Sequence, residues 1–260
     1  MVIRRIREHV TAHNWFAVGI DFLIVVAGIV IGTQVNNWNQ ARIEGEQSRS
    51  YRARLIDELD FNARQYRQQI SYYRQVRRHG LTALAGFRNV ANLAPRDFLV
   101  AAYQTSQIDT SPPKTYIYDE LVSAGLVDRL GDESIQEAAS DYYLQAAANI
   151  RSFQEIFPYR TIIRGVMPYP LQNEIRRRCG DIFVYFEQRI IGVRLPERCD
   201  IVLESSESAQ GVAQVRRVPG IMRELTRYLA STDERLTLLN DNLQLANELR
   251  GKLIEAVRRD

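Results

Sequence analysis

The sequence predicts a mainly α protein: one N-terminal transmembrane helix continuing into an elongated helical bundle, with a short β or irregular insertion near residues 180–205. Three observations carry this expectation. Residues 15–35 form an apolar run whose one ionisable member is Asp21. Apolar positions then recur every three or four residues through 51–73, 135–157 and 221–257, the period of an amphipathic helix. Between 160 and 218 that spacing is lost, and short runs rich in Phe, Tyr, Ile and Val take its place.

The expected organisation is a basic tail over 1–14, a transmembrane helix over 15–35, a stalk helix over 36–78 and a helical domain over 79–260 that packs with the stalk. In the tail Arg4, Arg5 and Arg7 face one acid, Glu8, a bias that holds a short flank in the cytoplasm and places the remainder of the chain outside. At about 1.5 Å per residue the run 15–35 covers the roughly 30 Å hydrocarbon core of a bilayer. Trp15 and Trp38, the two tryptophans of the chain, mark its ends as membrane-interface anchors. No A-x-A-like exit follows the run, which argues against a cleaved signal peptide.

Projected at about 100° per residue, Gly28 and Gly32 lie within about 20° of Asp21, and Asn14 and Asn39 return to the same line. Phe22, Leu23, Val26 and Val30 occupy the opposite side. Gly28 and Gly32 form a GxxxG, the spacing that lets two helix backbones approach closely. Asp21, Gly28, Gly32 and Asn39 are therefore the candidate transmembrane interface, toward a second copy or another membrane protein. The plainer alternative is a lipid-exposed helix that happens to contain glycines, with Asp21 reaching toward the headgroups.

The stalk repeats Tyr51, Leu55, Leu59, Ala63, Tyr66, Ile70 and Tyr73, with no proline and one glycine, which suits a rigid support. Its acids Asp57, Glu58 and Asp60 point in different directions on a helix and read as a solvated face. Pro95 opens a helix through 95–107, and Ser111-Pro112-Pro113 is a loop. Thr115 is the expected cap of a helix that Gly125 ends. The stretch 126–132 reads as a turn, after which Asp132 caps a helix whose stripe is Ile135, Ala139, Tyr142, Ala146, Ile150, Phe153 and Phe157.

At this point the anchor, Asp21 followed by LIVVAGIVIGTQVNNWNQAR, and the run TYIYDELVSAGLVDRLGDESIQEAASDYY over 115–143 resemble a domain-of-unknown-function family of bacterial single-pass inner-membrane proteins. The matching residues are Asp21, Gly28, Gln34, Asn36, Asn37, Trp38 and Asn39, then Thr115, Tyr116, Leu121, Ser123 and Gly125. The two runs cover under a third of the chain. Thr33 departs from the pattern, which favours an apolar residue there. The resemblance implies architecture and location, and no activity.

Past 160, Pro168 and Pro170 bracket a turn and LQNEIRRR reads as a helix. The runs IFVYF, IIGVRL and DIVL read as strands or buried loop whose aromatics fill a core. Cys179 and Cys199 leave two readings open, a disulfide closing a loop of about 20 residues or free buried thiols. From Ile221 onward Leu225, Tyr228, Leu229, Leu236, Leu239, Leu243, Ala246, Leu249, Leu253 and Val257 keep helical spacing with a coiled-coil character, either continuous or interrupted by a capping box at Ser231–Glu234. The expected assembly pairs this C-terminal helix with the stalk and packs the middle helices against both.

A net charge of +3 and short, scattered arginine clusters at 176–178, 216–217 and 258–259 speak against nucleic-acid binding. With His79 the one histidine past the anchor, no glycine-rich phosphate loop and no G-x-S-x-G, the residues name no catalytic, cofactor-binding or metal-ligating set, and no cofactor is expected. The function expected is that of a membrane-anchored interaction or scaffold protein, an accessory subunit of an inner-membrane complex, with the lipid bilayer and another helix as partners. The alternatives are a small-molecule sensory ectodomain working through a partner, and a stator-like proton-coupled subunit using Asp21.

Overall fold

The computed structural model describes residues 15–89, 92–153, 157–202 and 204–259. The basic tail expected over 1–14, with Asn14, lies outside the described residues. The described chain is mainly α. In order it forms α1 (Trp15–Phe87), α2 (Pro95–Thr105), α3 (Tyr116–Ala124), a 3-10 turn (Val127–Leu130), α4 (Glu133–Phe153), α5 (Pro158–Val166), α6 (Tyr169–Cys179), a β-hairpin of β1 (Ile182–Phe186) and β2 (Arg189–Arg194), α7 (Ser205–Arg216) and α8 (Ile221–Arg259). Two compact units divide the chain, residues 1–52 and 53–260, with the division falling inside α1.

In the first unit α1 is uninterrupted from Trp15. Phe22, Leu23, Ile24, Ile29, Ile31 and Val35 are exposed along it. Two of its polar side chains find partners on the helix itself: the Thr33 hydroxyl donates to the Val30 carbonyl at 2.8 Å, and Arg42 pairs with Glu46 at 3.2 Å. Folding a hydroxyl back on the preceding turn lets a threonine sit within an apolar run without an orphaned donor.

In the second unit the stripe Leu55, Leu59, Ala63, Tyr66, Ile70 and Tyr73 of α1 is buried as its spacing predicts. Helix α8 runs unbroken through Ser231–Glu234, so no capping box forms there. It lies antiparallel to α1, since Asp60 pairs with Arg250 at 2.6 Å, Tyr73 accepts from Arg235 at 2.8 Å, and Arg77 pairs with Asp233 at 2.5 Å. The close approach is set at Gly80, where an added Cβ would lie 2.6 Å from Leu229 Cδ2. Helices α4 and α5 pack on α8, with Asn149 donating to Asn242 at 2.9 Å inside the α4–α8 contact.

The polar side chains of α1 do something the helical pattern did not predict. Segment 107–115 has no backbone ladder of its own, and its peptide groups are held by α1 side chains instead. Tyr73 donates to the Asp109 carbonyl at 2.7 Å and accepts from its N–H at 3.0 Å. Gln69 donates to Ser111 O at 2.9 Å, and Gln65 to Pro112 O at 3.0 Å. Asn62 clamps Lys114 on both sides, donating to its carbonyl and accepting from its N–H, each at 2.8 Å.

These residues descend α1 in steps of three and four while the strap ascends from 109 to 114. About 16 Å of helix from Tyr73 to Asn62 thereby serves a nearly extended strap, at about 1.5 and 3.1 Å per residue respectively. Prolines lack an N–H but still carry carbonyls, so glutamines that only donate suit the Ser111-Pro112-Pro113 stretch.

The same device holds the hairpin. Gln75 donates to Leu195 O at 3.2 Å and accepts from Leu195 N at 3.0 Å, while Gln68 donates to Val193 O at 2.8 Å. β1 and β2 pair antiparallel with a bulge at Val184/Tyr185, joined by a tight turn in which Glu187 and Gln188 both have positive φ. Gly192, at φ 144°, leaves room for Gln68, whose Cγ a Cβ would approach to 2.9 Å.

Four expectations are corrected. Glu58 does not belong to a solvated face: it is 1% exposed, while Asp57 is exposed and Asp60 pairs with Arg250. Thr115 occupies the cap position of α3, but its hydroxyl donates to Asp119 at 2.7 Å, and the Ile117 N–H donates to Glu58 Oε2 at 2.9 Å instead. The hairpin aromatics do not fill a core, since Phe183 and Tyr185 are 58% and 59% exposed. Finally, α7 follows where no helix was expected, after a run 200–202 that takes the loop reading rather than the strand, with Ile201 buried. By contrast Asp132 caps α4 through Ile135 N at 3.2 Å, and Gly125 ends α3 in the left-handed conformation.

Candidate interaction face on the N-terminal helix

The candidate interface residues share one unbroken helix, which fixes their relation. At about 100° per residue the steps of seven, four and seven from Asp21 through Gly28 and Gly32 to Asn39 return to one line. With about 1.5 Å per residue the line is some 27 Å long. Asp21 is half-buried and Gly28, Gly32 and Asn39 are exposed, while Phe22, Leu23 and Val30 on the opposite side of the helix are exposed as well. Trp38 is 71% exposed at one end of the apolar stretch, and α1 begins at Trp15.

The glycines separate into two kinds. An alanine at Gly80 would collide with Leu229, so packing within the chain explains that position. At Gly28 and Gly32 an added Cβ would meet nothing within 4 Å. Nothing in the described chain fills the shallow groove they leave, and a groove of that kind admits the backbone of a second helix.

The second unit contains the chemistry the sequence pattern missed. Glu58 Oε1 accepts from the Tyr143 hydroxyl at 2.6 Å, and Oε2 from the N–H of Ile117, in the first turn of α3. Burial pushes the Glu58 carboxyl above its ordinary value, and Asp119 adds to this, while the two donors and Lys114 oppose it. Burial and the neighbouring Glu58 also push the Tyr143 phenol up, far out of the range in which it would ionise. Next to them Asn62 donates to Tyr142 at 3.0 Å, and Tyr118 stacks on Tyr143 at 4.2 Å.

Each oxygen of Glu58 thus accepts one hydrogen bond that holds α3 or α4 on α1. The signal available in the sequence was the pair Tyr142-Tyr143, which supplies two hydroxyls to a buried helix face and so requires polar partners on the facing helix. His79, the histidine of the second unit, is driven down to about 4 by burial and by Arg78, and so carries no charge near neutrality.

Cys179 and Cys199 are joined in a disulfide, with Cα atoms 5.3 Å apart. The bond closes the loop that carries the hairpin, and Cys179 is buried at its base. Among the described residues no group of three or more His, Cys, Asp or Glu side chains is arranged to hold a metal ion. Compared with known proteins, the chain matches no family model, no curated protein and no solved structure.

Proposed function

We propose that this chain is a membrane-anchored interaction subunit, spanning a bacterial inner membrane once and docking a second transmembrane helix on the face Asp21, Gly28, Gly32 and Asn39. The observation that carries the reading is the open glycine groove in register with a carboxyl group on a helix long and apolar enough to cross a bilayer. A carboxyl group within a membrane helix is costly to leave facing lipid, so a partner that hydrogen-bonds it is favoured.

The tail arginines Arg4, Arg5 and Arg7 support a cytoplasmic N-terminus, and the Cys179–Cys199 disulfide suits an oxidising compartment for the second unit. The resemblance of the anchor to single-pass inner-membrane proteins supports the same arrangement. In this reading the second unit is presented outside the cytoplasm and the chain has no catalytic role.

The test is crosslinking in native membranes with Gly28→Ile and Gly32→Ile together. The expected result is loss of the crosslinked species formed by the wild type, with an unaltered amount of inserted protein. Crosslinked partners identical to those of the wild type would refute the docking face. Asp21→Asn, which keeps hydrogen bonding, is expected to retain the partner; loss of function with the partner retained would favour proton carriage by Asp21 instead.

A further inference from the structure

Three arginines of α5 and α6 gather at the end of α2. Elsewhere some arginines pair with acids, as Arg54 does with Glu120, Arg77 with Asp233 and Arg250 with Asp60, and others rest singly on neutral groups, as Arg216 does on the Gly86 carbonyl. On α6 itself Glu174 takes both Arg177, at 2.6 Å, and Arg178, at 3.2 Å. Arg160, Arg164 and Arg176 instead rest on neutral groups at the end of α2. Arg160 donates to the Ser106 carbonyl through Nη1. Arg164 donates from Nε to Ser106 Oγ at 2.9 Å and from Nη2 to Gln107 Oε1 at 2.8 Å, with its guanidinium over the Tyr103 ring at 4.8 Å. Arg176 interacts with the hydroxyl of the same Tyr103.

Two guanidiniums sharing one serine repel each other; Arg160 and Arg164 are half-buried, and Arg176 is exposed. Asp181 feels both Arg164 and Arg160, yet its carboxylate oxygen Oδ1 takes its hydrogen bond from Tyr72 at 3.1 Å. Like-charged neighbours fixed on neutral acceptors leave a positive field that a small anion with several oxygens would neutralise, and guanidinium forks match such an anion in pairs. We infer that Arg160, Arg164 and Arg176 form a binding site for a small oxyanion of the phosphate class. Ser106 and Tyr103 position the forks, and Arg176 closes the site from the solvent side. This site is independent of the docking face proposed for the anchor.

The test uses the full chain in neutral detergent, with inorganic phosphate titrated by calorimetry against chloride at matched ionic strength. Saturable phosphate binding is expected, with affinity falling tenfold or more in Arg160→Gln and threefold or more in Arg176→Gln. Arg178→Gln, whose side chain pairs with Glu174, should bind as the wild type does. Arg176 is exposed, so its variant keeps the test valid even if Arg160→Gln folds poorly. Glycerophosphoglycerol, the deacylated headgroup of an anionic phospholipid, separates the sources. Tighter binding of it than of inorganic phosphate assigns a lipid headgroup, and the reverse assigns a free phosphate. Phosphate binding no better than chloride, or equal binding by wild type and Arg176→Gln, overturns the site.

Discussion

Tyr143→Phe isolates one bond in the buried cluster of the second unit. The substitution keeps the ring stacked on Tyr118 at 4.2 Å and its edge contact with Tyr142 at 4.7 Å, and removes only the hydroxyl that donates to Glu58 at 2.6 Å. Glu58 is 1% exposed, so water cannot replace the donor at little cost. A hydrogen bond to a charged group contributes about 1.5–3 kcal/mol, and one between neutral groups about 0.5–1.5 kcal/mol. For a folding unit of this size, about 2–4 °C per kcal/mol translates the charged case into a fall in Tm of about 3–12 °C.

The effect depends on pH in a defined direction. Burial holds the folded-state pKa of Glu58 above its ordinary value of 4.5. The folded protein therefore binds this proton more tightly than the unfolded chain. The associated stabilisation is fully present below the ordinary value and is lost as pH rises through the folded value. Tyr143 is among the influences that lower that folded value, so removing it is most damaging where Glu58 is ionised. Thermal unfolding followed by circular dichroism should show the gap between wild type and Tyr143→Phe widening from pH 4 to pH 8. A gap of the same size at both ends, or no gap at pH 8, would refute the assignment of Tyr143 as a donor to a buried carboxylate.

Two further outcomes bear on how the second unit is held together. Asn62→Ala removes three bonds, to Lys114 O, Lys114 N and the Tyr142 hydroxyl, while Gln65→Ala removes the single bond to Pro112 O. At about 1–3 kcal/mol per buried group left unpaired, denaturant unfolding should show Asn62→Ala losing at least twice as much stability as Gln65→Ala; equal losses would mean the strap is held by its prolines rather than by α1. Replacing Cys179 and Cys199 together with Ser reopens a loop with a sequence separation of 20, for which chain entropy predicts a loss of about 3 kcal/mol. An unchanged Tm would show that Gln68 and Gln75 alone restrain the hairpin.

The helices were legible wherever one face was apolar and the other met water. The α1 stripe from Leu55 to Tyr73 and the α4 stripe through Tyr142 are buried where the three-and-four spacing places them, as is most of the α8 stripe through Leu253, although Leu236 and Leu243 are half-buried while the adjacent Arg235 and Asn242 are buried. Gly125 and Asp132 mark boundaries by local chemistry that holds in any tertiary setting. The region from 158 to 216 was less legible because its helices are short. Pro158 and Pro170 open helices of 9 and 11 residues whose stability comes from packing against α2 and α8 rather than from a long stripe. The hairpin lies within the span marked for a β or irregular insertion, but its exposed Phe183 and Tyr185 contradict the usual inference from aromatic to core.

Why Glu58 was misread follows from what a periodicity argument assumes. It assigns every polar residue of a helix to solvent, because water is the partner that is always available. Here other partners compete for them: α3 and α4 for Glu58, and for Asn62, Gln65 and Gln69 a stretch of chain between α2 and α3 with no backbone ladder, rich in proline, whose peptide groups need partners. Amides suit this task, since Asn62 and Gln75 each donate and accept on one peptide in the way a neighbouring strand would. The anchor is the converse case. Gly28 and Gly32 have no partner within the described chain, so their reason must lie outside it or be absent. The two halves of α1 can therefore be told apart by whether the chain itself accounts for their unusual residues. Past residue 53 it accounts for Glu58, Asn62, Gln65, Gln69 and Gly80. In the anchor it leaves Asp21, Gly28 and Gly32 unexplained, and this contrast, more than the GxxxG spacing, is what directs the search for a partner to that face.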